Sequence, residues 1–354
     1  MPSIISHSKP TIDEKEFTSM DRYLQRGELT MGAAVEAFEN AFSKRHEGRH
    51  AVAVNSGSSA LHLSLLALDI GPGDEVILPS YVCAALLNVA WYIRARPRIV
   101  DIDLDDFSLS LQALTRAVGR RTRAIVVPHM FGKPAKLAEI RAIAKERRLT
   151  LIEDCAQAVG ATYGNRLVGT FGVLSFFSFY STKVITTGHG GMVLTSSKAL
   201  ARRLMDLRSY DKKPSTRLRF NYSMTDFQAV MGTVQLKKLA SFIRRRRAIA
   251  RRYTQAFAPL NVEVPIEDPH RPSIYYRYIL TLPRDNGPFL KAMNEQGICC
   301  TKGVYRPLHR YLGLSSRRFP NTEDAMRLGV SLPIYPTLTD AECRRVIDAA
   351  KALL

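Results

Sequence analysis

Between residues 50 and 195, short unbroken apolar runs alternate with stretches whose apolar residues return at helical spacing. His50-Ala51-Val52-Ala53-Val54 reads as a strand, and Asn55-Ser56-Gly57-Ser58-Ser59 turns the chain into a helical pattern over residues 60–68. The turn cluster Asp69-Ile70-Gly71-Pro72-Gly73-Asp74 then leads into a second strand, Glu75-Val76-Ile77-Leu78. The pattern repeats at Arg98-Ile99-Val100-Asp101, Ala124-Ile125-Val126-Val127 and Thr150-Leu151-Ile152. Strands apolar on both faces need cover on both sides, so the pattern predicts an α/β fold with a mainly parallel sheet flanked by helices.

The flanks read differently. Residues 12–26 place Phe17, Met20, Tyr23 and Leu24 on one helical face and stop at Gly27. Residues 224–249 predict one or two long helices. From about Pro265 the chain turns to proline-rich turns and short strands such as Tyr276-Arg277-Tyr278-Ile279-Leu280, with helices near residues 289–296 and 340–353. This predicts a large domain over residues 1–245 and a smaller C-terminal α+β domain over residues 246–354.

Composition narrows the class. The chain has 354 residues, 46% of them hydrophobic, enough for a large core. Met1-Pro2-Ser3-Ile4-Ile5-Ser6-His7-Ser8-Lys9-Pro10 carries no long apolar run, so no secretory signal is expected. The most apolar charge-free stretch, residues 81–93, is interrupted by Asn88 and falls short of the roughly 18 residues a membrane span needs. Five cysteines, an odd number without CxxC spacing, predict neither a disulfide framework nor a metal site. A cytoplasmic protein without membrane contact is expected.

Charge adds one ambiguity. Lys+Arg number 51 against 32 Asp+Glu, a net +19, concentrated in Arg244-Arg245-Arg246-Arg247 with Arg251-Arg252 and in Arg120-Arg121 with Arg123. Such runs attract phosphates, on nucleic acid or on a nucleotide-linked small molecule, or else form a solvated helix face. Apolar residues at helical spacing over 242–253 favour the solvated face.

The chemistry centres on Lys183. It ends Phe177-Ser178-Phe179-Tyr180-Ser181-Thr182-Lys183, precedes Thr187-Gly188-His189-Gly190-Gly191, and lies downstream of Glu153-Asp154-Cys155-Ala156-Gln157-Ala158. A partly desolvated lysine can form a Schiff base with an aldehyde, and an aspartate at the end of a strand can keep a pyridine nitrogen protonated. Together they point to pyridoxal phosphate (PLP). As a simple helix cap, Asp154 would leave Gln157 unexplained. Ser56-Gly57-Ser58-Ser59, between a strand and a helix, offers backbone N–H groups and hydroxyls to a phosphate, with Ser178 as a second hydroxyl.

The whole set resembles the DegT/DnrJ/StrS family of PLP-dependent sugar aminotransferases, of the aspartate-aminotransferase-like fold type I. The resemblance runs through Gly27-Glu28-Leu29-Thr30-Met31-Gly32, Phe38-Glu39, residues 55–61, Gly71-Pro72-Gly73-Asp74-Glu75-Val76-Ile77 and Pro97-Arg98-Ile99-Val100-Asp101-Ile102-Asp103. It continues through His129-Met130-Phe131-Gly132, the Asp154 and Lys183 segments, Asn221-Tyr222-Ser223-Met224-Thr225-Asp226-Phe227-Gln228-Ala229 and Tyr305-Arg306-Pro307-Leu308-His309.

The resemblance implies roles. Lys183 would bind the cofactor covalently and shuttle a proton, Asp154 would pair with the pyridinium, and Gln157 would contact the ring hydroxyl. Gly57, Ser58 and Ser178 would hold the phosphate, with Asn221 completing the phosphate site of the other subunit in a homodimer with shared active sites. His129 and His309 lie in segments that border the family's active site, and His189 and Tyr305 join them as candidate substrate residues.

Three positions depart from the family pattern. Cys83 stands where an aromatic residue often stacks on the cofactor ring, His189 replaces a glutamate, and Ser223 stands where arginine is common. The implied activity is a two-step, ping-pong transfer of an amino group from glutamate or glutamine to a keto sugar, most simply a nucleotide-linked keto-deoxysugar. A cyclitol ketone is an alternative acceptor. A deoxysugar dehydratase is the alternative reaction, against which Lys183 argues, because that branch replaces the lysine with histidine. A basic nucleic-acid-binding regulator on the same scaffold is the non-enzyme alternative, against which the presence of both Lys183 and Asp154 argues.

Overall fold

The computed structural model describes residues 4–354; Met1, Pro2 and Ser3, where the reading of the N-terminus begins, lie outside the described residues. Two helices lead in, α1 (Glu14–Arg26) and α2 (Ala33–Arg45). The large sheet and its cover follow as β1 (His50–Val54), α3 (Gly57–Ala67), β2 (Glu75–Pro79), α4 (Ala85–Tyr92), β3 (Arg96–Val100), α5 (Leu111–Ala117), β4 (Thr122–Pro128), α6 (Leu137–Glu146) and β5 (Thr150–Asp154). A small hairpin, β6 (Thr162–Tyr163) and β7 (Arg166–Leu167), precedes β8 (Leu174–Ser178), β9 (Gly191–Thr195), α7 (Lys198–Arg208) and the long α8 (Asp226–Phe257). The remainder comprises β10 (Tyr278–Thr281), α9 (Gly287–Glu295), α10 (Leu308–Tyr311), α11 (Pro320–Leu328), β11 (Gly329–Leu332) and α12 (Asp340–Leu353).

The strands of the seven-stranded sheet lie in the order β1-β9-β8-β5-β4-β2-β3. The pairs β5–β8, β4–β5, β2–β4 and β2–β3 are parallel, and β9 joins both β1 and β8 antiparallel. Six strands therefore point one way and only β9 runs against them. The carboxyl ends of β1, β2, β4, β5 and β8 open on one edge of the sheet, where α/β folds bind ligands.

Alternation along β8 separates core from cavity. Phe177 and Phe179 point into an aromatic cluster with Phe38 and Phe42 of α2, the Phe42–Phe177 and Phe38–Phe179 ring centroids lying 4.9 and 5.4 Å apart. All four rings are fully buried, and burying one such side chain stabilises by about 1.5–3 kcal/mol. Phe176 and Ser178, the intervening residues, face the cavity at the sheet edge.

Several sequence expectations shift. The N-terminal helix begins at Glu14, because Asp13 caps it in a capping box with Glu16, and it ends at Gly27 with φ of 70°. Only part of its predicted apolar face is covered: Met20 and Tyr23 pack on the core, whereas Phe17 and Leu24 are exposed. The long helix is single and runs eight residues beyond the expected end. It is started by the Thr225–Gln228 capping box and sustained by two successive cores, one receiving Leu239, Phe242 and Ile243, the other Ile249, Tyr253 and Phe257. The predicted strand at Tyr276 begins two residues later, at Tyr278.

The arginine run on α8 is neither a phosphate surface nor simply a solvated face. Arg246 is buried and donates to the carbonyls of Tyr275, Tyr276 and Ile334. Arg247 donates to the Ser273 carbonyl, and Arg245 and Arg252 pair with Asp340 at the start of α12. Arg244, Arg251 and Arg252 are exposed and follow the solvated reading, Arg252 through its surface ion pair. The run fastens the second half of α8 to the C-terminal elements.

Candidate active site

At the carboxyl edge of the sheet lies a cavity of about 270 Å³. One end is built by the turn from β1 into α3. Val54 and Ser178 both pair with Gly191, the first residue of β9, so the Ser56–Ser58 turn must cross directly over Gly191 to meet Ser178. Two glycines make this possible. A Cβ on Gly191 would stand 2.4 Å from the Ser56 carbonyl oxygen, and one on Gly57 would stand 2.8 Å from Ser178 Cβ.

This end is suited to an anion without supplying a charge. Ser56 Oγ caps α3 by accepting from Ser59 N at 3.0 Å, while the first N–H groups of the helix have no intrahelical acceptor. Ser178 Oγ and the exposed Ser58 stand beside them on the cavity wall. The positive end of the α3 dipole, free N–H groups and hydroxyls form a phosphate-sized cradle that side chains at residues 57 and 191 would fill.

The opposite wall comes from the end of β5. Asp154 is buried, and its Oδ1 accepts from Ala156 N at 2.9 Å. Burial pushes its carboxyl pKa upward, and the hydrogen bond from Ala156 N with the charge of Lys183 offsets this only in part. Gln157 also lines the cavity; its Oε1 accepts from Phe131 N at 2.9 Å, leaving the Nε2 donors available.

Lys183 closes the site from the turn after β8, its N–H bonded to the Tyr180 carbonyl at 2.9 Å. Its Nζ makes no hydrogen bond among the described residues and lies 5.1 Å from the centroid of the Tyr276 ring. Burial works to raise the Tyr276 phenol, but the charges of Lys183 and Arg277 prevail and bring its pKa to about 8. Tyr276 is a site residue the sequence reading missed. It lies 93 positions from Lys183, and its only local signal is the aromatic run Tyr275-Tyr276-Arg277-Tyr278.

The other candidates divide. Cys83 is exposed on the cavity wall, and His189 lines the cavity with its ring 5.1 Å from that of Tyr180, edge to face. His129 is buried behind the cavity: its Nδ1 accepts from Ala135 N, which leaves the proton on Nε2 to donate to Glu153 at 3.2 Å. Glu153 also accepts from the N–H groups of Gly169, Phe171 and Gly172, so the pair braces the loop before β8. His309 is buried away from Lys183, between Ser80 Oγ (2.6 Å) and Glu323 Oε1 (2.7 Å). Tyr305 is 92% exposed on the rim of a second cavity. Asn221 is exposed outside the first cavity, its carbonyl accepting from Asn55 Nδ2 at 3.2 Å.

Known proteins place the chain in a family and a fold. Residues 10–351 match the DegT/DnrJ/EryC1/StrS aminotransferase family. The uncharacterized protein MJ1066 of Methanocaldococcus jannaschii is 34% identical, over 99% of this chain and 98% of its own. Among solved structures, the aminotransferase TlmJ from Streptoalloteichus hindustanus superposes with a TM-score of 0.94 at 30% identity, covering 99% of this chain and 98% of that one. DesV from S. venezuelae gives 0.91 at 32%, covering 96% and 94%. Spr1654 from Streptococcus pneumoniae, solved in a PMP form, gives 0.93 at 25%, covering 99% and 97%. The chain belongs to the DegT/DnrJ/EryC1/StrS family, whose aminotransferases depend on PLP, and its fold is that of the fold type I transferases.

Proposed function

We propose, starting from that membership, that this enzyme moves an amino group from glutamate or glutamine to a nucleotide-linked keto-deoxysugar in a ping-pong cycle. The observation that supports it is the convergence of Lys183, Asp154, Gln157 and the Gly57–Ser58–Ser178 cradle on one cavity. Bound there, PLP would supply a sink for the electron pair released when a Cα–H bond breaks.

The chain's residues divide the remaining work. Lys183 Nζ, uncommitted to any hydrogen bond, would hold the cofactor covalently and, once displaced by the amino donor, carry the proton taken from the donor's Cα. Asp154 has a lone oxygen beyond the one serving Ala156 N, and would hold the ring nitrogen protonated. Gln157 would give an Nε2 hydrogen to the ring hydroxyl, while Phe131 N fixes its other end. Gly57, Ser58 and Ser178 would hold the phosphate, and Cys83 would border the ring where an aromatic residue is frequent in the family. The pyridoxamine form, incubated with a panel of nucleotide-linked keto sugars, should regain the aldehyde spectrum with at least one of them. No response to any member, with pyruvate or 2-oxoglutarate still active, would remove the sugar from the reading.

We also infer a homodimer with shared sites, a large domain over residues 1–245, a small one over residues 246–354, and a cytoplasmic location. Exposed Phe17, Leu24, Leu29 and Met31 near the start, with Trp91 and Tyr92, favour a partner surface. Among the described residues, no helix is long and apolar enough to cross a membrane. Mixing inactive Lys183→Ala and Asn221→Ala subunits should restore about a quarter of wild-type activity after random exchange, since only heterodimers carry one intact site. No recovery after verified exchange would remove Asn221 from the site.

A further inference from the structure

Most arginines of the α8 run find partners within the fold, but those of the other run, Arg120, Arg121 and Arg123, are all exposed. They stand at the amino end of β4, on the sheet edge opposite the one where the Lys183 cavity opens. Arg96 joins them there. Its N–H donates to the Asp74 carbonyl and the Glu75 N–H donates to the Arg121 carbonyl, each at 2.8 Å, so the amino ends of β3, β2 and β4 lie side by side. Two carboxylates at this end, Asp74 and Glu75, each hold one arginine loosely, Arg123 at 3.9 Å and Arg98 at 3.7 Å.

From Arg98 the charge continues around the side of the sheet. β3 is the outermost strand, and a groove of about 760 Å³ runs between β3, α5 and residues 314–321. Arg98, Arg116, Arg317 and Arg318 line it, all four exposed. Its carboxylate, Asp101, is not available to them: it is buried and accepts from Asn321 N, Thr322 N and Thr322 Oγ1 at 3.0, 2.9 and 2.7 Å. Arg116, Arg317 and Arg318 have no ion pair among the described residues. The turn that carries Arg120 joins the two arginine groups, since a Cβ on Gly119 would stand 3.7 Å from Glu75 Oε2, the atom facing Arg98. Pro97, Ile99, Ala113 and Leu314 give the groove an apolar lining between the arginines. It shares no residue with the Lys183 cavity, and β3 lies three strands from β5, about 14 Å at ordinary strand spacing.

We propose that this groove and the arginine edge beside it dock an acidic segment of a partner protein, one whose Asp and Glu side chains alternate with apolar ones. The arginines spread from the groove to the amino end of β4, farther than one small anion reaches. Every cation of the patch is an arginine, whose planar fork meets a carboxylate through two parallel bonds. A phosphodiester backbone would answer the charge but has nothing to lay on Pro97, Ile99, Ala113 and Leu314, whereas an amphipathic acidic segment covers both. The surplus charge steers such a partner toward the groove, and a partner held there leaves the Lys183 cavity open.

Three fluorescein-labelled probes of equal charge are titrated against the PLP-loaded full-length protein by anisotropy: a helical Glu/Leu peptide of about 18 residues with its leucines on one face, poly-L-glutamate, and duplex DNA. The Glu/Leu peptide should bind in a salt-dependent way and about tenfold or more tighter than the other two. Arg116→Glu/Arg317→Glu should weaken it by about tenfold or more, with melting temperature and cofactor absorbance unchanged. Arg317→Ser/Arg318→Ser carries the same expectation should the charge reversal disturb folding. Arg244→Glu/Arg251→Glu alters net charge equally at exposed positions of α8 and should bind the peptide like the wild type. The docking surface is overturned if the peptide does not bind, if the groove variants bind it as tightly as the wild type, or if the α8 variant loses it by the same factor, which would leave only net charge at work. DNA bound as tightly as the peptide would assign the patch to nucleic acid, and poly-L-glutamate bound as tightly would remove the apolar lining from the site; either result overturns the proposal.

Discussion

Lys183 and Arg246 are both cations the fold draws out of bulk water, and it uses them in opposite ways. Arg246 commits its Nη1 donors to three carbonyls from segments 29 to 88 residues away, while its buried Nε has no partner among the described residues, and burial lowers its pKa to about 10, so it stays charged at neutral pH. Lys183 spends none: its Nζ rests on an aromatic face at the rim of a cavity, with the buried Asp154 across it. Backbone geometry makes the difference. A mid-helix arginine meets whatever loops pack against its helix, whereas a lysine in the turn after a parallel strand arrives where several strand ends leave a gap. A cation's role is better read from the donors it has left than from its neighbours in sequence.

Removing each member should separate chemistry from stability. Lys183→Ala should abolish turnover, by at least ~10⁴-fold, while shifting the melting temperature little, because no hydrogen bond is lost. Borohydride reduction of the loaded wild type should leave the cofactor's mass on the Lys183 peptide; label on another lysine would break the comparison at its first term. Next in size is Asp154→Asn, expected to lower turnover by roughly 10³-fold with the cofactor still bound. Its stability effect has the other sign. Burial raises the folded-state pKa of Asp154, so the folded protein holds that proton more tightly than the unfolded chain, and stability falls as pH rises through this range. The cofactor-free variant should therefore melt at or above the wild type at pH 7. A clear fall in melting temperature would make Asp154 a structural cap.

Arg246→Met tests the other term. Stranding three buried carbonyls costs about 1–3 kcal/mol each, partly offset by no longer burying a charge, for a net loss of about 3 kcal/mol in urea denaturation. Cofactor absorbance per folded molecule should be retained. A variant as stable as the wild type but unable to hold cofactor would place Arg246 with Lys183 rather than opposite it.

What the sequence made legible follows from range. β1, β2, β4 and β5 are local hydrophobic patterns, and Lys183, Asp154, Gln157, Gly57 and Ser178 lie at or just past strand ends, so alternation plus chain direction brought them to one edge. Tyr276 under Lys183, and the carbonyls that capture Arg246, are contacts across dozens of residues that no period encodes. The segment-based reading of His129 and His309 met the same limit. Both lie in motifs near the site, but both are buried with each ring nitrogen already engaged, His129 by Ala135 N and Glu153, His309 by Ser80 and Glu323. Phe17 and Leu24 show the converse: an apolar face legible in sequence that a single chain does not cover.

The smallest effect concerns Cys83, where the comparison can be sharpened by adding rather than removing a group. Its thiol is exposed on the wall of the Lys183 cavity, at the position where the family often stacks an aromatic ring, and it makes no hydrogen bond among the described residues. A side chain that already faces open space can grow without displacing core atoms, so Cys83→Phe and Cys83→Tyr should fold like the wild type. An aromatic face beside a flat ring adds about 1 kcal/mol, equivalent to roughly fivefold tighter cofactor binding, measurable by dialysis and titration of PLP into the cofactor-free protein. Lys183 would still form the covalent link, so its reduced peptide should carry the label as before. A loss of folding in both variants would show that Cys83 is packed rather than facing the cavity. Weaker PLP binding in folded protein would show that the ring's second face is covered by another group, with Cys83 providing only the space for it.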